Sequence, residues 1–146
     1  MTPEKALGDN FRMFGLPPDA VAWLLDVWHL IQVFDDVADG DVVTREDLDT
    51  AVWKCFISFP SNSFYLANVS SLQPALATAI LKWKASDEAE REGAAGEMSF
   101  VWRAGYYDLV LLVMLLCLGR DAAMSEARVV MSLYGEQFTD YRKEFS

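Results

Sequence analysis

Six carboxylates crowd the sixteen residues from Val33 to Leu48: Asp35, Asp36, Asp39, Asp41, Glu46 and Asp47, with Arg45 as the one opposing charge. Such a cluster suits a hard divalent cation, calcium or magnesium, or a basic protein surface. The residues before it read as an amphipathic helix. Val21, Trp23, Leu24, Val27, Leu30, Ile31, Phe34 and Val37 form its apolar side, and Asp26, His29, Gln32, Asp36 and Asp39 its polar side. Read as a solvated turn between two helices, Gly40 closes that helix and Thr44 caps the next one. Carboxylates at a helix C-terminus face the negative pole of its dipole, which costs about 0.3 to 1 kcal/mol each. A cation or a basic partner relieves that cost, while salt screening lets a plain solvated turn persist without either.

Counted from Asp35, Asp39 falls at position 5 of a twelve-residue calcium loop, Gly40 at 6, Asp41 at 7 and Glu46 at 12. With Phe34 before it and Leu48 after it, the stretch Val21 to Phe56 resembles a single EF-hand of the calmodulin family. The resemblance implies calcium held by the carboxylates of Asp35, Asp39 and Glu46 and by the carbonyl of Asp41. Val37 stands at position 3, where it offers no side-chain oxygen, and no second loop of this kind follows.

The string Asp35-Asp36-Val37-Ala38-Asp39, within "IQVFDDVADGD", also resembles the aspartate-rich motif of isoprenoid diphosphate synthases. That resemblance implies an all-helical enzyme whose Asp35 and Asp39 hold magnesium against a substrate diphosphate. The family's second metal motif has no counterpart here. The two resemblances imply different backbones. An aspartate-rich box is helical from Asp35 to Asp39, whereas a calcium loop ends its helix near Phe34 and needs Gly40 at positive φ.

Other residues with possible chemistry have plainer readings. Asp26 and His29, three apart, suit a helical ion pair when His29 is protonated. Glu97 and Asp108 fall about 20° apart on a helical wheel and could be paired inward carboxylates. Equally, Glu97 suits an exposed first turn and Asp108 a pair with an arginine such as Arg103. Of Trp23, Trp28, Trp53, Trp83 and Trp102, most have aliphatic neighbours and read as core, with Trp28 off the apolar stripe and a candidate for exposure. Cys55 and Cys117 lie in apolar helical contexts and read as free, buried thiols. The charges from Lys82 to Glu92 read as a solvated helix end, and Gly93 to Gly96 as a flexible turn.

These residues sit on a chain whose apolar spacing favours helices throughout. The expected helices run over Pro3 to Phe14, from Pro18 through Phe34, from Thr44 to about Phe59, from Ser71 to Glu92, over about Gly96 to Leu118, and from Asp121 to about Tyr141. The prediction is an all-α, single-domain bundle of five or six helices over residues 1–146, with the apolar helix near residues 96–118 at its centre. Its 146 residues, 53% of them hydrophobic, suffice for a packed core. "LVLLVMLLCL", Leu109 to Leu118, is too short to span a bilayer. No signal peptide is visible, so a cytoplasmic protein is expected and Asn68-Val69-Ser70 is a sequon by pattern only. A net charge of −10 argues against nucleic acid and anionic membranes and for another protein with a basic surface as partner. A homo-oligomer is compatible with the composition.

The functional expectation is a non-enzymatic interaction or structural domain with an acidic helix-loop-helix for a divalent cation or basic partner. The candidate ligands are Asp35, Asp39, Asp41 and Glu46. The alternative is a magnesium-dependent enzyme acting on a diphosphate, and the sequence leaves open whether the chain is an enzyme.

Overall fold

Thr2 opens the first helix by accepting a hydrogen bond from the Lys5 backbone N–H, and Pro3 occupies the first helical position, where its missing donor costs nothing. The structure is a computed structural model and describes residues 2–145. Among the described residues every regular element is helical, so the protein is all-α. The chain falls into two compact units, Met1–Val69 and Ser70–Ser146.

In the first unit α1 (Pro3–Met13) packs on α2 (Pro18–Asp39). Leu7, Phe11, Leu16, Ala20, Val21, Trp23, Leu24 and Val27 are buried there. Trp23 lies in an aromatic box, with ring centroids 5.5 Å from Phe59, 6.1 Å from Phe64 and 6.0 Å from Tyr65. A second small core joins Leu30 and Val33 of α2 to Ala51 of α3 (Arg45–Trp53), with Val43 and Phe59 packed against it.

The third helix changes pitch. A π-helical segment, Lys54–Ser58, follows α3 and leads into α4 (Phe59–Ser61). Phe59 N–H bonds back five residues, to the Lys54 carbonyl. Pro60 accounts for the widening: it has no N–H to donate, and its ring would strike the carbonyl four residues earlier in an ordinary α-helix. In an unbroken α-helix Phe59 would lie about 80° round from Ala51, and absorbing one extra residue brings it to about 20°. The wide turn thereby aims Phe59 into the core, against Trp23 and Tyr65. Asn62 then caps α5 (Ser63–Ala67) through Tyr65 N–H and donates to the Asp19 carbonyl at 3.0 Å, while Ser63 Oγ donates to the Asp19 carboxylate at 2.8 Å.

The second unit holds α6 (Val69–Arg91), α7 (Glu97–Trp102), α8 (Tyr106–Leu118), α9 (Arg120–Ser132) and α10 (Phe138–Glu144). α8 packs along α9 and buries Tyr106, Tyr107, Leu109, Val110, Val113 and Met114. Two expected helices are each divided. The apolar helix near residues 96–118 breaks between Trp102 and Tyr106, where a Cβ on Gly105 would come within 3.4 Å of the Ala79 backbone of α6. The helix expected from Asp121 to Tyr141 ends at Ser132 and resumes at Phe138, with Gly135 in the gap. Apolar spacing continues through both breaks because both flanking pieces bury a face, so periodicity does not reveal the interruption.

Candidate functional site

The acidic segment is built on the end of α2. The helix continues through Asp39, and Gly40, at φ 75° and ψ 15°, ends it with its N–H directed at the carbonyls of Asp36 and Val37. Asp41 N–H reaches the Asp36 carbonyl at 2.9 Å, completing a left-handed C-cap. Asp35, Asp36 and Asp39 therefore stand on a helical turn, Asp41 follows the cap, and Glu46 lies in the first turn of α3. This is not the loop backbone that the EF-hand resemblance implies from Asp35 onward. The positive φ of Gly40 is present, but it serves the helix cap.

Among the described residues no three His, Cys, Asp or Glu side chains gather so as to hold a metal ion. Asp35, Asp39, Asp41 and Glu46 are accordingly not drawn together into one such group. A helix spreads successive carboxylates around its axis, while Asp41, just past the cap, stays near enough for its charge to act on Asp36. Two carboxylates one helical turn apart, Asp35 and Asp39, remain a protein contribution of the size magnesium uses when phosphates and water supply the rest.

Crowding leaves an electrostatic mark. Burial and then the neighbouring charges of Asp41, Asp35 and Asp47 raise the pKa of Asp36 above the ordinary carboxylate value. Asp26 is also raised, by burial first, against the opposing pull of Lys54, whose Nζ lies 3.6 Å from Asp26 Oδ1. The expected Asp26–His29 pair is replaced by this contact. His29 instead turns Nε2 toward Asp47, at 4.0 Å, and its Nδ1 is buried without a hydrogen-bond partner.

Beside the acidic turn lies an apolar surface. On α3 and the π segment, Leu48, Val52 and Phe56 follow one another at four-residue intervals, 44%, 51% and 73% exposed. Trp53 is 62% exposed, and Phe34, Val37, Val42 and Ile57 are exposed too. Trp53, rather than Trp28, is thus the exposed tryptophan, because it falls about 200° around the helix from buried Ala51. Trp28 is half-buried. Cys55 and Cys117 form no disulfide, as expected, but Cys55 is exposed on this same segment and Cys117 is only partly buried.

In the second unit the structure assembles a polar cluster that the sequence reading did not identify. Arg103, in the break between α7 and α8, has Nη1 3.6 Å from Glu90 and 3.5 Å from Glu136, and its guanidinium lies over the Tyr141 ring, 5.0 Å from the centroid. Tyr141 OH donates to Glu90 at 2.9 Å and shares a 2.6 Å hydrogen bond with Ser99 Oγ. Ser86 Oγ donates to the Ser99 carbonyl, and Tyr134 OH to Glu136 at 2.7 Å. Burial, the larger cause, and the hydrogen bond to Glu136 hold the Tyr134 phenol well above its ordinary pKa. Asp108 pairs with Lys82 Nζ at 2.6 Å, not with Arg103, and Glu97 takes the first-turn position on α7. Only the break near Gly105, which frees Arg103 from the helical register, could have pointed to this cluster, and the sequence gives it no motif.

The fold and the surface define an all-α protein with an acidic, partly apolar helical hairpin. Compared with known proteins, the chain matches no family model, no curated protein and no solved structure. Among the described residues no helix is long and apolar enough to cross a membrane.

Proposed function

We propose that the chain is a helical interaction module that engages a basic partner protein through the hairpin of α2 and α3. One observation carries the reading: the hairpin of α2 and α3 that bears the acidic turn also leaves Trp53 and Phe56 exposed, both large side chains that monomers seldom leave in water without a use. Opposite charge steers an approaching basic surface, and buried apolar area then holds it. The test is selection from a displayed random-peptide library against the full chain. Enriched peptides rich in Lys and Arg, bound more weakly at 300 mM than at 50 mM salt, support the reading. A variant with Asp35, Asp36, Asp39 and Asp41 all changed to Asn should associate with them about tenfold more slowly. Acidic or neutral peptides, or no enrichment, overturn it.

A second reading, magnesium-dependent chemistry on a diphosphate, is favoured by the helical backbone beneath Asp35 and Asp39. Calorimetric titration of inorganic pyrophosphate with magnesium tests it. Heat lost in Asp35→Ala and kept in Glu46→Ala supports the reading, and no heat removes it.

A further inference from the structure

The acidic turn and the apolar ladder of α3 present two kinds of chemistry to one partner. Leu48, Val52 and Phe56 step along the segment at intervals of about 6 Å, the rise of four helical residues. Leu48 and Val52 lie about 60° and 100° round from buried Ala51, and Phe56, in the π segment, is exposed as well. On α3 Asp49 borders the ladder with Glu46 further round on the same side, and α2, which packs on α3, ends in Asp35, Asp36 and Asp39 with Asp41 just past its cap. From Asp35 to Asp49 there are seven acids and one base, Arg45, and Arg45 Nε is engaged by Asp49 at 3.3 Å.

We infer that this face is the docking site for an amphipathic helix of another protein, with apolar residues at i, i+4 and i+7 and lysine or arginine beside them. The inference rests on the interaction reading above and adds the shape and chemistry of the partner. Charge complementarity selects this occupant. A second copy of the chain would set one acidic rim against another, within a protein already at −10. An extended or purely basic segment would leave the ladder in water, whereas a helix of the stated pattern covers it as one amphipathic helix covers another.

The test uses the peptides selected on the full chain. Expected are sequences with helical apolar spacing, helical in circular dichroism when bound. Val52→Asp or Phe56→Asp should weaken them by roughly tenfold or more, while Leu81→Asp, at an exposed position on α6, should leave affinity unchanged. Because Val52 and Phe56 are exposed, both variants should keep the parent melting curve, and Phe56→Ser serves as a milder second probe. Basic, salt-sensitive peptides indifferent to Val52→Asp and Phe56→Asp would overturn the helix-docking inference while leaving the charge-based reading intact. Light scattering that shows a dimer lost in the same variants would overturn it in favour of self-association.

Discussion

The hydroxyl of Tyr141, on the last helix, donates to the carboxylate of Glu90, on α6, across 51 residues of chain at 2.9 Å. Tyr141 is fully buried, and its ring packs on Phe100 at 5.2 Å and Phe145 at 5.0 Å. This one side chain therefore ties the end of the chain to its own unit by both a polar and an aromatic contact. Tyr141→Phe keeps the ring and removes the donor, so a largely buried carboxylate and Ser99 each lose a partner. The expected cost is about 1 to 3 kcal/mol, measured by urea unfolding. Changing Glu90→Gln in addition should cost less than the sum of the two single changes, because both act on the same contact.

Alkaline pH should act on the same cluster. Burial raises the phenols of Tyr107 and Tyr141 above their ordinary value of 10.0. The folded chain then holds these protons more tightly than the unfolded chain does. Stability is therefore complete below the ordinary tyrosine range and falls as pH rises through it. Absorbance at 295 nm should show these tyrosines ionising together with loss of near-ultraviolet dichroism, in one cooperative step.

Asp36 has the same sign at the acid end. Its raised pKa means the folded chain binds the proton more tightly than the unfolded one, so ionisation destabilises as pH climbs above the ordinary carboxylate value. Asp36→Asn should raise stability near neutral pH by about 0.3 to 1 kcal/mol, the scale of a carboxylate at a helix C-terminus. The gain should vanish in thermal melts run below the carboxylate range.

Gly40 at φ 75° is the backbone feature on which the acidic turn depends. A Cβ there meets no neighbour within 4 Å, so Gly40→Ala is resisted by backbone conformation rather than by packing. The expected loss is about 1 kcal/mol in chemical denaturation. Gly40→Asn should lose less, because asparagine tolerates the left-handed region.

The helical class and the cap at Thr44 were legible in the sequence, since each depends on residues within a few positions of one another, while the stop at Gly40 was one of two readings, the other ending the helix near Phe34. The breaks at Gly105 and Gly135 were not. Gly105 marks a close approach to Ala79, 26 residues earlier, and local spacing contains no record of it. The Glu90–Arg103–Glu136 cluster was hidden for the same reason: its three charges come from a helix end, a break and a loop. At the acidic turn the carboxylates were evident from composition, but their arrangement depended on whether the helix passed Phe34. The continuous apolar and small residues Val37 and Ala38 favour that continuation.

The wide turn ahead of Pro60 behaves as a phase shifter in the rod that carries Phe56 and Phe59. An α-helix keeps a fixed angular relation between its two ends, whereas one surplus residue here resets it, so one aromatic ring faces water and another, three positions later, faces the interior. Shortening Lys54–Ser58 by one residue while replacing Pro60 with alanine would give an uninterrupted spiral with Phe59 still directed inward. The surplus residue is thus an insertion the architecture has absorbed, and the outward-facing rung of the ladder is where its effect surfaces.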